Sequence, residues 1–508
     1  MADSPIKNSD GALRISVYSE GTVISSTLFG LISIYIYKGV NRIGKAKLIF
    51  SAGDMPTSEV PESDNDSFAL GKSIRIEAGY GSEENSIFEG IVVNHSFIVE
   101  DKNASTLHIE CFDYAYPMTL ARKNNLFTKK KDSEAIQEII KNYSPIAPTV
   151  DATKTKYNEL VQYYVSDWDF VRSRADANGL VVITEGTTMS VKKPDISSAA
   201  ALRITYGSDL IAFNGQLSAS DAQGGIEAAA WNAAKQEMVK VSGVNPSLNK
   251  QGDVSLSELS EAVGTKKTVL QTVCAEESTL QAWADSQLVK AGLARIQGSC
   301  KFVGSSKALH GNTIELAGLG KRFNGTAYIG YVEHEIKNGV WTSTAGLGLS
   351  FENIAEKPEV AAPSTSGLLP GIQGIHIGKV SKIDEDPDGE NKIQVEIPIL
   401  GTANNKVWAR FTSFRASNGY GAFAIPDVGD EVAIAFFNND PCFPVILGGL
   451  YSSKQQMPYS IEKKNNIHAI TTKSNMKIEF ENEKKEITIQ TPGNNMIRIS
   501  DDAKGMTL

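Results

Sequence analysis

Cysteine is scarce in this chain. Four of its 508 residues are cysteine, and Cys111, Cys274, Cys300 and Cys442 are scattered without paired spacing. That pattern supports neither a disulfide framework nor a zinc site, and it suits thiols kept reduced in a cytosolic product. The six histidines are dispersed, so no metal cluster or catalytic triad suggests itself, and each reads as structural. Basic charge is not in excess either. Fifty Lys and Arg against 59 Asp and Glu leave a net charge of −9, which argues against a basic nucleic-acid-binding surface. Long apolar runs are missing. Leu28 to Tyr37 (LFGLISIYIY) is the most apolar early run, is too short to span a bilayer, and reads as a buried strand. The start, Met1-Ala2-Asp3-Ser4, carries no basic-then-apolar leader.

What is present is a long chain, 41% apolar, able to bury sizeable cores and sized for three or four domains of about 150 residues each. The pattern predicts a mainly β fold: two β-barrels with helical insertions, a smaller closed β-barrel, and the start of a trimeric β-helix or prism. A first barrel is expected over 1–125, with strands near 13–18, 28–37, 47–50, 73–78, 87–93 and 106–112. Within it Ile74, Ile76 and Ala78 alternate with Ser73, Arg75 and Glu77, as a half-buried strand should. Pro56 to Ser67 reads as an exposed loop. A helical segment is expected over 126–210. Asp132 or Ser133 is placed to cap a helix that carries Ala135, Ile136, Ile139 and Ile140 on one face. Ser166-Asp167-Trp168-Asp169 reads as a second helix start, stopped by Asn178-Gly179 and followed by a strand over 180–183. A second barrel is expected over 211–355, with a helix capped by Ser278 and Gln281 turning Leu280, Trp283, Ala284 and Leu288 inward. Strands near 201–206, 212–219, 225–231, 300–303, 313–316, 325–335 and 346–351 complete this block. A Pro, Ser and Ala-rich linker covers 356–373.

The stretch from Asn405 to Tyr451 is the most informative. Short runs of β-formers, Val407–Phe411, Glu431–Phe437 and Pro444–Leu447, are separated by Asn418-Gly419, Pro426-Asp427, Gly429-Asp430 and Asn438-Asn439-Asp440-Pro441. Such spacing predicts a small closed barrel, here assigned to 374–455. Beyond it, over 456–508, Met476-Ile478-Phe480, Ile487-Ile489 and Ile497-Ile499 alternate at a period of about ten residues, which predicts a solenoid or prism. Too little apolar surface is available there for one copy to fold alone, and three copies meeting on a common axis would bury it. The pattern is unfinished at Met506-Thr507-Leu508.

These residues also carry a family resemblance. Trp408-Ala409-Arg410, Gly419-Tyr420-Gly421, Ile425-Pro426, Val428-Gly429-Asp430-Glu431-Val432, Asp440-Pro441 and Pro444-Val445-Ile446-Leu447-Gly448 occur in the order of the VgrG spike signature. Gly378-Lys379-Val380 and Asp386-Pro387-Asp388-Gly389 match its approach. Ser166-Asp167-Trp168-Asp169-Phe170 with Ala177-Asn178-Gly179-Leu180 resembles a helix of the hub that precedes the barrel. The resemblance implies a structural, non-enzymatic homotrimer, the hub and spike of a contractile injection system: type VI secretion, a phage-tail-like particle or a phage baseplate. It implies two related hub barrels per chain, forming a six-fold ring in three chains, and an oligonucleotide/oligosaccharide-binding (OB) type for the small barrel between hub and needle. The implied partners are the inner tube protein, baseplate proteins, a small metal-bearing (PAAR-like) tip protein and effectors, with no nucleic acid partner and a target membrane breached mechanically. Such a protein assembles in the cytoplasm and leaves with the particle. Some phage relatives insert a lysozyme domain after the barrel. Only Ser452 to Asn466 lies there, so no such domain is expected in this chain, nor is a toxin extension after Leu508.

No catalytic, cofactor-binding or metal-binding residue is assigned, and no cofactor. His334-Glu335 opens like a zinc-protease helix, but position 338 is Asn, so an ordinary strand pair is expected. Asp384 to Gly389 opens like a calcium loop, yet the twelfth position is Val395 and strands flank it. It reads as a turn, with adventitious cation binding as the alternative. Gly71-Lys72-Ser73 ends like a phosphate loop without the first glycine, since position 66 is Asp. Cys442 is expected to be a packed thiol. Asp167 and Asp169 are expected to serve the helix start rather than to pair. Trp408, Tyr420 and Phe423 suggest a stacking platform for sugar or single strands, or core and interface packing; the few nearby cations, Lys406, Arg410 and Arg415, favour packing. The competing function is an envelope polysaccharide-binding or -degrading, tailspike-like enzyme, which would need carboxylates clustered in a groove.

Overall fold

The computed structural model describes every residue except 1, 9–10, 25–29, 55, 101–103, 273–275, 402 and 404. Leu28, Phe29 and Cys274 therefore lie outside the described residues. The chain forms two units, Met1–Ala362 and Pro363–Leu508, and their boundary falls inside the expected linker.

In the first unit, alternating sequence becomes sheet. Ile74, Ile76 and Ala78 are buried while Ser73, Arg75 and Glu77 are partly exposed along the strand Ser73–Tyr80. The strands of both β-rich blocks join one 13-stranded sheet among the described residues. Leu210–Leu217, Ile296–Val303, Val340–Leu347 and Gly325–Lys337 run from one edge. Gly30–Gly39, Lys45–Ser51, Ala104–Phe112, Asn85–Glu100, Ser73–Tyr80, Leu13–Ser19 and Thr22–Val23 continue to the other. The two blocks meet where Tyr331–Lys337 pairs antiparallel with Ser33–Gly39. Tyr37 stacks on Tyr331 at this seam, ring centroids 5.5 Å apart. Gly346 lies beneath the Tyr331 ring, where any Cβ would collide with it at 1.9 Å. Each block keeps its own core. Leu48, Ile76, Leu107 and Ile109 centre the first, which Ile336 and Trp341 enter from the second block. Phe302, Ile314, Leu316 and Val332 centre the other.

Several boundaries differ from the sequence reading. The final strand of the second block is Val340–Leu347, not 346–351. Ile226–Asn232 leaves the large sheet and forms a separate one with Glu237–Ser242 and Thr268–Thr272. The expected loop at 56–67 contains the short helix Pro61–Asp64. The helix Leu256–Val263, capped by Ser255 and stopped by Gly264, was not anticipated.

The inserted helices have a core of their own. Helix Asp132–Ile140 buries Ala135, Ile136, Ile139 and Ile140 as the spacing requires. Asp132 and Ser133 do not cap it. The Asp132 carboxylate is fully buried and accepts from Arg174 Nε at 2.6 Å and from Asn178 Nδ2 at 2.8 Å. The first turn is closed instead by Glu134, which accepts the Lys131 amide at 2.8 Å, and by Thr153 Oγ1, which accepts the Ser133 amide at 3.1 Å. In helix Asp167–Ala177, Ser166 is the cap, accepting the Asp169 amide at 3.1 Å, and Gly179 takes the left-handed stop at φ +67°. Helix Glu277–Ala294 buries Leu280, Ala284 and Leu288, with Trp283 packed beside them. Ser278 does not cap it, because its hydroxyl is engaged with Thr155 Oγ1 at 2.7 Å.

The second unit opens with a closed five-stranded barrel: His376–Lys382, Ile393–Glu396, Lys406–Phe411, Pro444–Gly449 and Glu431–Phe436. Its core is Val380, Val395, Ala409, Val432 and Ile434. A five-stranded meander follows: Ile467–Thr471, Lys477–Glu481, Glu486–Gln490, Met496–Ser500 and Gly505–Thr507.

Candidate functional site

Two features of the second unit concentrate unusual chemistry, and turn residues build the first. In the barrel, Asp430 Oδ2 accepts the Asp427 amide at 2.8 Å, and Asp440 Oδ1 accepts the Cys442 amide at 2.9 Å. Gln455 ties the barrel's exit back, accepting from the Glu431 amide and donating to the Gly429 carbonyl, both at 3.1 Å. Much of the signature is thus turn chemistry that keeps the barrel closed. Aromatic groups stand outside this frame. The hairpin Ala416–Ser417 with Tyr420–Gly421 leaves Phe414 95%, Tyr420 63% and Phe423 86% exposed. Core packing therefore fails for Tyr420 and Phe423, while Trp408 is half-buried. Arg415 lies over the Tyr420 ring and Arg410 over that of Phe437, at 5.5 and 5.8 Å.

The second feature is the meander. Its register sorts most side chains by polarity, although Ile467 and Met496 fall on the charged face. His468 and Ile470 pair with Phe480 and Ile478, which pair with Ile487 and Ile489, and these pair with Ile499 and Ile497; Met506 pairs with Ile499. All nine lie on one face. Lys477, Glu479, Glu481, Glu486, Thr488 and Arg498 lie on the other, where Tyr459 donates to Glu479 at 2.6 Å. Each inner strand has both edges hydrogen-bonded within the chain. What is unmet is the apolar face: Ile470 is 68% exposed and Met506 64%.

The remaining sequence candidates resolve into structural roles. His334 is buried in the strand Gly325–Lys337, its Nδ1 2.8 Å from Ser343 Oγ. Burial, reinforced by Lys38, pushes its pKa down to about 3. Glu335 pairs with Lys301 at 3.2 Å. Asp386 accepts the amides of Asp388, Glu390 and Lys392, so the calcium-like loop is a turn. Two of its other acids are paired, Glu385 with Lys382 and Asp388 with Lys392. The Ser73 amide is held by Glu20 Oε1 at 2.6 Å, ahead of a strand rather than a helix. Asp169 accepts from the capping Ser166 hydroxyl at 2.6 Å. Asp167 instead joins a buried network, accepting from Lys123 at 2.7 Å, Tyr143 at 2.6 Å and Gln162 at 2.8 Å. Cys442 is exposed, not packed, because the Asp440 turn carries it out of the barrel. Cys111 and Cys300 are buried, and burial pushes the Cys300 thiol up to about 12. The buried ion pair between Asp132 and Arg174 was not found from the sequence, since nothing local to position 132 announces its partner.

Comparison with known proteins adds family to geometry. Residues 9–338 match the family described as the Alg8 N-terminal domain, more than half of the chain. Residues 376–451 match the type VI secretion system/phage-baseplate injector OB domain. A type VI secretion system spike protein of Pseudomonas aeruginosa, VgrG1b, is 26% identical over 179 residues, covering 33% of this chain and 24% of that protein. The spike protein VgrG3 of Vibrio cholerae is 33% identical over 107 residues, covering 21% of this chain and 10% of that one. The chain therefore spans less than two thirds of the length of these curated relatives. Among solved structures, an Escherichia coli type VI secretion system component aligns with a TM-score of 0.44 at 12% identity, covering 86% of this chain and 99% of its own.

Proposed function

We propose, for a chain that belongs to the Alg8 N-terminal domain family and carries a VgrG-type injector barrel, that it is the trimeric structural spike at the tip of a contractile injection machine. The apolar face of the 467–507 meander carries the reading. A single chain leaves that face to water, while its opposite face bears the charges and the Tyr459 contact. Exposed apolar area of this extent marks an interface. Three copies with these faces inward would form a prism whose core is the nine side chains from each copy, and the exposed barrel aromatics would add contacts between copies. The expected segmentation, hub over 1–355, linker, barrel over 374–455 and needle over 456–508, fits that division of labour.

The mechanism is mechanical. Force applied behind the hub passes down a rigid β-prism to a target membrane, and no active site is required. The partners follow from the resemblance: an inner tube protein, baseplate proteins, a PAAR-like tip protein and effectors. Assembly would take place in the cytoplasm before delivery with the particle. The enzymatic alternative needs free carboxylates in a groove. Three of those the sequence singled out are instead engaged: Asp167 with Lys123, Asp388 with Lys392 and Glu385 with Lys382.

Native mass by light scattering tests this, using the full chain and a form ending near Ser460. A mass of about three chains, lost on truncation, supports the spike and places assembly in the meander. A monomer in both cases overturns it, and robust polysaccharide turnover would favour the enzymatic reading.

A further inference from the structure

We propose that the first unit binds the phosphate group of a small organic phosphate, in a cavity of about 420 Å³ lined by Arg42 and Arg172. The site lies wholly within Met1–Ala362 and does not depend on the spike reading.

Charge is out of balance in this cavity. Its walls carry Arg42, Arg172, Lys290 and Lys357 against Asp176 and Glu352, an excess of two positive charges. Each carboxylate is already taken by a lysine. Asp176 lies 3.0 Å from Lys290, and Glu352 lies 2.8 Å from Lys357. Asp176 also accepts the Ile354 amide at 3.0 Å. Neither arginine side chain has a hydrogen bond or ion pair among the described residues, and the Nε of Arg172 is buried without a partner. Both arginines act on Glu352 only from a distance. Asp169, one turn earlier than Arg172 on the same helix, is engaged by the capping Ser166 and does not line the cavity. Burial lowers the pKa of Arg172, and the charge of Arg42 lowers it further against the pull of Asp176. Burial lowers that of Lys290 too, with Arg172 adding to the effect against the same carboxylate. Three cations therefore crowd one another where a buried charge needs a counter-ion.

The fold fixes where the arginines start. Arg42 follows Asn41, which sits at φ +62° and whose side chain accepts the Val182 amide at 2.8 Å, so that turn is tied down. Arg172 stands on the helix Asp167–Ala177, and Lys290 on the helix Glu277–Ala294. A guanidinium offers paired N–H donors that match two oxygens of a phosphate. Charge decides between acids. A carboxylate brings one negative charge and leaves one arginine unmatched, whereas a phosphate monoester brings about −1.5 to −2 near pH 7. Size decides between phosphates. The volume falls in the range of small-molecule sites, about 300–1,000 Å³. Val289, Leu293 and Leu349 give the wall an apolar part, so an organic group attached to the phosphate has a surface to lie against.

The test is calorimetric titration of the full chain with phenyl phosphate in a phosphate-free buffer, with inorganic phosphate and acetate in parallel. One phenyl phosphate per chain is expected. Inorganic phosphate should compete for the same site more weakly, and acetate should bind about tenfold more weakly than phenyl phosphate or worse. Arg42→Gln lies in an exposed turn, so it should fold as the parent does and bind phenyl phosphate about tenfold more weakly. Arg172→Lys keeps the charge but loses the fork, and should also weaken binding. Phenyl phosphate should raise the thermal midpoint of the parent and not of Arg42→Gln. No uptake by the folded parent overturns the site, as does an Arg42→Gln variant that binds as well as the parent. Uptake of inorganic phosphate with phenyl phosphate excluded overturns the organic ligand. A parent that takes up no phosphate, with a lower native mass in Arg42→Gln, would put a carboxylate of another copy in the cavity and overturns the proposal too.

Discussion

The strand Ser73–Tyr80 and the strand Lys477–Glu481 both alternate polar with apolar residues. Ile74 and Ile76 disappear into a core, whereas Ile478 and Phe480 stand 39% and 44% exposed. Alternation states which side of a strand avoids water, and it says nothing about what will cover that side. In the first unit the cover comes from the same chain, with Ile336 and Trp341 reaching into the core that Ile76 helps to form. Over 467–507 no described segment lies on the apolar face. The first sheet should therefore be stable at any concentration, and the second only as far as other copies are present.

Acid should separate the two regions most strongly. Burial holds both His310 and His334 near a pKa of about 3, against an ordinary value of 6.5. The unfolded chain then binds more protons than the folded one below pH 6.5, so hub stability is full above that pH and falls continuously toward about 3. Denaturant midpoints measured across this range should drop with pH, and His310→Leu should flatten the slope. His310 Nδ1 stands 3.9 Å from Glu185, and that carboxylate stays paired with Lys38 in the variant. A slope unchanged in the variant would remove His310 from the account.

The next effect is the loss of a buried charge's partner. Arg174→Ala strands the Asp132 carboxylate and should cost about 3–5 kcal/mol of hub stability in urea unfolding, with native mass unchanged. A loss under about 1 kcal/mol would mean that water reaches Asp132. A matched pair sharpens the comparison further. Leu48→Ala should cost about 2–5 kcal/mol whatever the protein concentration. Ile487→Ala should barely change hub unfolding and instead raise the concentration needed for assembly, read by light scattering across a dilution series. Equal behaviour of the two would erase the distinction drawn here. The smallest effect is local. Ser166→Ala removes a helix cap and should cost about 1 kcal/mol, confined to the hub transition.

Legibility in the sequence followed the range of the interaction. The barrel over 376–449, the meander strands and the buried faces of two helices could be read because each rests on neighbours a few residues apart. The roles of Asp132 and Ser278 were misread for the complementary reason. Both have the chemistry of a cap, but each has a stronger partner elsewhere in the chain, Arg174 for the one and Thr155 for the other. Cys442 was expected to be a packed thiol, and the turn set by Asp440 leaves it exposed.

The sequence by itself determined the strand periods, the turns, the ordered barrel signature and the two-faced character of the last 42 residues. These depend on backbone geometry and side-chain polarity within one element. Only the tertiary structure decided that the two hub blocks share a sheet through Gly30–Gly39 and Gly325–Lys337, that Asp132 is buried against Arg174, and that His468 looks out from an apolar face. Such outcomes depend on which distant segments meet, and burial and hydrogen bonding settle that for the whole unit at once.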